Sequence, residues 1–403
     1  MTSTSLPLEG IRVLDVASFI AAPVAATVMA DFGASVVKVE PPGLGDPNRH
    51  IRSLASYPQS DVNYPWEMDS RGKRSIAIDL KHDDGRAVLR RLIASADVLI
   101  TNYPHDVRKR LSLRHEDVRD LNPRLVYASF TGYGEAGPDA DQVGFDSTAF
   151  FARSGLFDSN RYEGQPPGVA MPGQGDRMSG MSLLAGILLA LLQRERTGRG
   201  TLVTSSLMAN GLWSNGVGAQ AALLGAFLPP RPPRDRPRSA LTNPYRARDD
   251  RWLQLTIVVE DKGWPGFCAA IERPDLLEDP RFAQTPTRRA NSAALVAVLD
   301  PIFAARDWQY WRKRLQAHGI PVGLIGRLSD LPTDEQATAA GIVVETANPA
   351  MPRTLAPPFS LASTTVPPAR PAPALGEHTA DILREAGYSA AEIAALQATG
   401  AVA

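Results

Sequence analysis

Between Ile11 and Glu40 the sequence alternates in a way that few folds accommodate. Ile11 to Ala17 is a short run of apolar and β-branched residues and reads as a strand. Small residues and Pro23 then open a helix over Val24 to Phe32, and Ala34 to Glu40 gives a second strand. A strand, a helix and a strand this closely joined form a βαβ unit, whose crossover makes the two strands parallel. The pattern recurs: Ser75 to Asp79 reads as a strand, Asp84 to Ser95 as a helix, and Asp97 to Thr101, Leu125 to Thr131 and Thr201 to Ser205 as further strands. An α/β fold with a large, Rossmann-like open sheet is expected. Pro172 to Gly180 reads as a loop containing Gly173, Gly175 and Gly180, followed by a strongly apolar helix from Met181 to Arg196.

The 403 residues allow more than one domain. Leu228 to Arg238 is a proline and arginine run that suits an extended, solvated connection, so residues 1–227 form the first part of the large domain and 228–244 a linker. Residues 245–331 then read as a small α+β domain, with a strand at Trp252 to Val258, helices near Trp264 to Ile271, Ser292 to Ala304 and Trp308 to His318, and Val322 to Ile325. A second proline-rich stretch, Pro349 to Pro373, makes 332–403 a return linker with C-terminal helices near His378 to Ala386 and Ala390 to Ala398, expected to rejoin the large domain. No internal repeat is evident.

Charge and cysteine content narrow the function classes. Forty-three basic against forty-three acidic side chains leave no net field to gather nucleic acid or an anionic membrane, so a charged ligand needs a local pocket. The single cysteine, Cys268, precludes an intramolecular disulfide, and its neighbours Trp264, Phe267 and Ala269 make it a core residue. The start lacks the pattern of a signal peptide, and the longest apolar run, around Leu183 to Leu192, is too short to span a bilayer. A cytoplasmic protein is expected.

Among chemical motifs, the absences come first. No G-x-G-x-x-G follows the first strand, and there is no P-loop, no H-E-x-x-H and no Cys/His cluster, so dinucleotide, nucleoside triphosphate and metal sites lose support. The six histidines are scattered and none has a Gly-x-Ser-x-Gly partner. Asp176 is the best candidate for chemistry, because Gly173 and Gly175 let a bulky substrate approach the backbone just before the apolar helix. The helix start supplies unpaired N–H groups and positive potential, which keep such a carboxylate ionised. The other reading is an N-cap, a role that Asp fills readily.

At these residues the chain resembles the class III coenzyme A transferases, which include formyl-CoA and crotonobetainyl-CoA transferases and, more distantly, α-methylacyl-CoA racemase. The resemblance runs from Leu8–Asp15 to Gly376–Leu383, through Asp31–Pro41, Gly72–Lys81, Ala96–Tyr103, Ser129–Gly134, Arg196–Gly200 and Arg273–Asn291. It implies that Asp176, in the Gly175-Asp176 step, attacks a donor thioester to give an aspartyl anhydride and then an aspartyl-CoA thioester. CoA would enter as a thioester substrate, with no tightly bound cofactor, and a carboxylic acid would be the acceptor. Asn102 would help to bind CoA, with Lys81 and Arg110 meeting the phosphates, Tyr103 the adenine, and Phe145 and Asp146 the acyl or CoA pocket. For each of these an exposed cation, a packed tyrosine or a turn residue is the alternative role.

The racemase branch needs a general-base histidine where this chain has Phe145. Ile20 and Pro41 replace polar or basic residues of the formyl-CoA transferases, and that subgroup's run of four glycines is missing. The expectation is therefore a CoA-transferase. A racemase-like enzyme and a non-catalytic CoA-binding protein on the same fold are the alternatives. The resemblance also implies a homodimer of two interlocked rings.

Overall fold

The computed structural model describes residues 6–403, which fall into two compact units. The first contains residues up to Asp158, Val169–Ala226 and Gln336–Ala403; the second contains Ser159–Gly168 and Phe227–Glu335.

A six-stranded sheet organises the first unit: β1 (Arg12–Val16), β2 (Ser35–Glu40), β3 (Arg74–Ala77), β4 (Val98–Thr101), β5 (Val126–Thr131) and β6 (Leu202–Ser206). All neighbours pair in parallel, in the order β3-β2-β1-β4-β5-β6. Val13 sits opposite Val36 on one side and Val98 on the other. A sheet covered on both faces needs apolar residues at successive positions rather than alternate ones, and β4 and the inner part of β1 are buried throughout. That continuity is why the sequence locates these strands within a residue or two.

Helix α1 (Ala21–Asp31) connects β1 to β2 and starts three residues earlier than the sequence suggests, with Pro23 accommodated in its first turn. The largest departure concerns the long helix, which runs from Gln174 to Thr197 and so absorbs most of the expected glycine loop. Two of its glycines serve close packing. A Cβ on Gly175 would lie 2.3 Å from the Phe150 ring, and one on Gly180 would lie 2.5 Å from the carbonyl oxygen of Ala21. Its 24 residues are long and apolar enough to cross a membrane by length and composition, correcting the shorter run read from the sequence. Its face with Ser179, Gly180, Leu183, Leu184 and Ile187 is buried in the sheet domain, as expected of a core helix.

The end of the chain closes the sheet. Ser75 of β3 accepts the His378 N–H at 2.9 Å, Ala77 donates to the Thr379 hydroxyl at 3.1 Å, and Ile78 bridges to Val402. The outer edge of β3 is therefore paired.

The second unit is built on an antiparallel sheet of β7 (Pro244–Arg246), β8 (Trp252–Leu255) and β9 (Val322–Leu324), packed against helices Glu260–Ala270, Ser292–Ala304 and Trp308–Ala317. Cys268 lies wholly buried in this core beside Phe267, and burial pushes its thiol up to about 12. The arginine run is largely solvated, as its composition suggests, with Leu228 to Arg231, Asp235, Arg236 and Arg238 exposed, and it is tied to the second unit at a few points. Arg234 pairs with Asp300 at 2.6 Å, Arg231 stacks over Tyr162, and Ala240 and Leu241 are core residues. The bidentate Arg234–Asp300 pair and the backbone carbonyls that accept from Arg231 and Arg238 anchor the run to the unit.

Candidate active site

In a parallel sheet of this order, the strands leading from β1 and β4 turn to opposite faces, leaving a crevice beyond their carboxyl ends. A cavity of about 520 Å³ occupies that crevice. Its walls include Ser18 to Ala21 after β1, Asn102 to His105 after β4, Gly144 to Ser147, and Gly173 with Asp176.

The wall after β1 is held in an unusual backbone conformation. Phe19 has φ of 64°, which a bulky side chain adopts only under constraint. The constraint comes from below: Asp46 accepts the Phe19 N–H at 3.0 Å and Lys38 donates to the Ala17 carbonyl. Lys38 is itself buried between Asp46 at 2.6 Å and Asp15 at 3.6 Å, and Lys73 holds the other oxygen of Asp15 at 2.8 Å. Burial opposes the charge on Lys38, but these carboxylates outweigh it and hold its pKa above the ordinary value. Both ends of the Asn102 amide brace the same loop, bonding Ser18 N–H and C=O at 2.8 Å each.

Asp176 occupies the third position of the long helix, so the N-cap reading is corrected; Gly173 takes the cap position with φ of 82°. Asp146 does the capping from a distance. It begins a π-helical segment, Asp146–Ala152, and its carboxylate accepts the N–H of Gly173 at 2.8 Å and of Asp176 at 3.1 Å. The amides of Gln174 and Gly175 also favour its charge. With the helix start engaged by Asp146, Asp176 does not receive the stabilisation that keeps a carboxylate ionised. Burial, then the neighbouring charge of Asp146, pushes its pKa up to about 7, correcting the expectation that it is fully ionised at neutral pH.

Of the residues singled out in the sequence, Asp176, Asp146, Phe145, Asn102 and Tyr103 line this one cavity. Lys81 and Arg110 do not; both are exposed, and Arg110 lies 3.9 Å from Asp106. The sequence reading passes over Ile51, Leu54 and Tyr57, which come from a stretch without helical or strand periodicity. Tyr57 packs on Ile20, Val24 and Ile51, and burial pushes its phenol up to about 12, with Arg177 and Asp176 among the charges that it feels.

A parallel sheet of this order with a carboxylate-bearing helix at its switch point defines an α/β enzyme scaffold, and the chain matches CoA-transferase family III over residues 8–379. It belongs to that family and is a CoA-transferase. It is 32% identical to the (R)-2-hydroxy-4-methylpentanoate CoA-transferase of Clostridioides difficile, over 96% of this chain and 97% of that protein. It is also 32% identical to the cinnamoyl-CoA:phenyllactate CoA-transferase of Clostridium sporogenes, over 98% and 97%. Among solved structures it is similar to a CAIB/BAIF family protein from Brucella suis, with a TM-score of 0.84 and 27% identity over 95% of this chain and 100% of that one.

Proposed function

We propose that the protein moves CoA from a donor acyl-CoA to a carboxylic acid through covalent intermediates on Asp176. The observation that carries this reading is a half-buried aspartate on the wall of the switch-point cavity, in a family of CoA-transferases. A carboxylate oxygen of Asp176 attacks the thioester carbon, the C–S bond breaks, and a mixed anhydride and CoA thiolate result. The thiolate attacks the Asp176 carbonyl, releasing the donor acid and leaving an aspartyl-CoA thioester. The acceptor carboxylate attacks that thioester, expels the thiolate and forms a second anhydride. The thiolate then takes the acceptor acyl group and Asp176 is regenerated. No proton is consumed overall, so no acid or base of matched pKa is required. Phe145 beside Asp146 has no proton to exchange, which weighs against α-proton abstraction.

In this reading CoA runs along the wall at Asn102 and Tyr103, and Lys81 and Arg110 meet its phosphates outside the cavity. Incubation with acyl-CoA, rapid quenching and peptide mass spectrometry test the mechanism. A CoA adduct on the peptide carrying Asp176 is expected, and its absence under conditions of active turnover would refute the covalent route.

The elevated pKa gives the reaction a pH dependence. The attacking form is the carboxylate, so the rate of acyl transfer should rise with pH and level off above about 7, with a rate at pH 6 roughly tenfold below the plateau. Initial rates between about pH 5.5 and 8.5 measure it; a flat profile would mean that ionisation of Asp176 does not limit the reaction.

A homodimer is also proposed. Trp213, Val217 and Leu223, on the helices Leu207–Ser214 and Gly216–Leu223, and Leu224 just after them leave most of their apolar surface exposed, more than a monomer usually tolerates. A second copy of the chain covering them, in the interlocked arrangement, predicts about twice the 43.4 kDa chain mass in light scattering across a wide dilution range. A persistent active monomer would contradict it.

A further inference from the structure

Resting on CoA transfer at Asp176, we propose that the acyl end of the cavity selects an apolar monocarboxylic acid and rejects acids that carry a second carboxylate. The inference comes from what surrounds Asp176. Ile20 approaches Gly173 closely enough that a Cβ there would sit 3.0 Å from its Cδ1, and Ile20 packs with Ile51 and Tyr57. Phe145 precedes the capping Asp146 and meets Phe19 edge to face, with centroids 6.1 Å apart. Leu54 completes this wall. An aliphatic chain or an aryl ring finds dispersion contacts and water exclusion there.

A second carboxylate finds no partner. Among the described residues, the titratable side chains other than tyrosine that line the cavity are His105, Asp141, Asp146 and Asp176, with neither lysine nor arginine among them. His105 is already engaged on both sides, by Glu135 at 2.7 Å and Asp141 at 3.1 Å. Among the cations nearby, Arg177 bonds Asp69 at 3.0 Å, Arg49 bonds Glu40 at 2.7 Å, Arg52 donates to the Ser60 carbonyl, and Lys38 lies beneath the loop between two aspartates. A distal carboxylate would be desolvated among apolar groups and repelled by Asp146, and a buried charge without a counter-ion is strongly disfavoured.

The test uses matched acceptors with acetyl-CoA as donor: hexanoate against adipate, and 3-phenylpropanoate against glutarate, with new acyl-CoA read by liquid chromatography and mass spectrometry. Hexanoate and 3-phenylpropanoate should exceed the dicarboxylates by about a hundredfold or more in kcat/KM. Phe145→Arg changes an exposed side chain at the cavity wall, so the fold should persist, and the supplied cation should raise the adipate-to-hexanoate ratio by about tenfold or more. Transfer to adipate as efficient as to hexanoate, or an adduct-forming enzyme that accepts neither monocarboxylate, would overturn the selectivity while leaving the Asp176 mechanism intact. Absence of both adduct and transfer would overturn the mechanism and the selectivity with it.

Discussion

Asp176→Asn should reduce CoA transfer by roughly a thousandfold or more while the protein stays folded. An amide oxygen is a poor nucleophile and cannot form the anhydride, so the first bond-making step is lost. The fold should persist because the contact between residue 176 and Asp146 runs through the backbone N–H, at 3.1 Å, which an asparagine retains. The same substitution should alter stability with a definite sign. Asp176 has a folded-state pKa of about 7, above its ordinary value, so the native state holds the proton more tightly than the unfolded chain. The wild type therefore loses stability as pH rises from about 4 to about 7, and the variant, which does not titrate, does not. The advantage of the asparagine variant in thermal unfolding should grow across that window and level off above it. Single-turnover measurements decide the catalytic half: retention of more than about a tenth of wild-type activity would remove Asp176 from the covalent role.

Lys38→Met should destabilise the first unit by about 3–5 kcal/mol, among the largest effects available to a single substitution. Methionine nearly matches the volume but removes the ammonium that sits 2.6 Å from Asp46, leaving a buried carboxylate that accepts from the backbone N–H groups of Phe19 and Asn48. The same change releases the Ala17 carbonyl and with it the strained turn at Phe19. Denaturant unfolding measures the loss, and KM for the acyl-CoA should rise along with it because the cavity wall is no longer fixed. A change below about 1 kcal/mol would show that this ion group is replaceable. Pairing the variant with Asp46→Asn should recover part of the deficit, since the orphaned charge is then absent.

What the sequence disclosed and what it concealed follow from the range of the interactions involved. β1, β2, β4 and β5 were legible because burial on both faces imposes a local, continuous apolar run. The start of the long helix was not. Gly173, Gly175 and Gly180 look like loop residues, yet the last two are required by Phe150, Asp146 and Ala21, at distances in sequence that no local pattern encodes. The capping of residues 173–176 by Asp146 spans about thirty positions, and the elevated pKa of Asp176 comes from burial first and from the charge of that distant carboxylate second. Tyr57 and Ile51 joined the site through a segment with no periodicity at all. Asp176, which lines the cavity, stands out in the sequence through its glycine neighbours and the family resemblance.

The paired edge of β3 has a consequence for the order of events during synthesis. Ser75 and His378 are 303 residues apart, so at a ribosomal rate of about 5–20 residues per second roughly 15–60 s separate the appearance of the strand from that of its cover. During that interval β3 presents open N–H and C=O groups on a growing sheet, a template for pairing with another nascent chain. Any stop or frameshift between the second unit and Thr379 releases a polypeptide with that edge permanently bare. Such fragments should be found in inclusion bodies or bound to chaperones, even though they still carry Asp176 and every residue that lines the cavity.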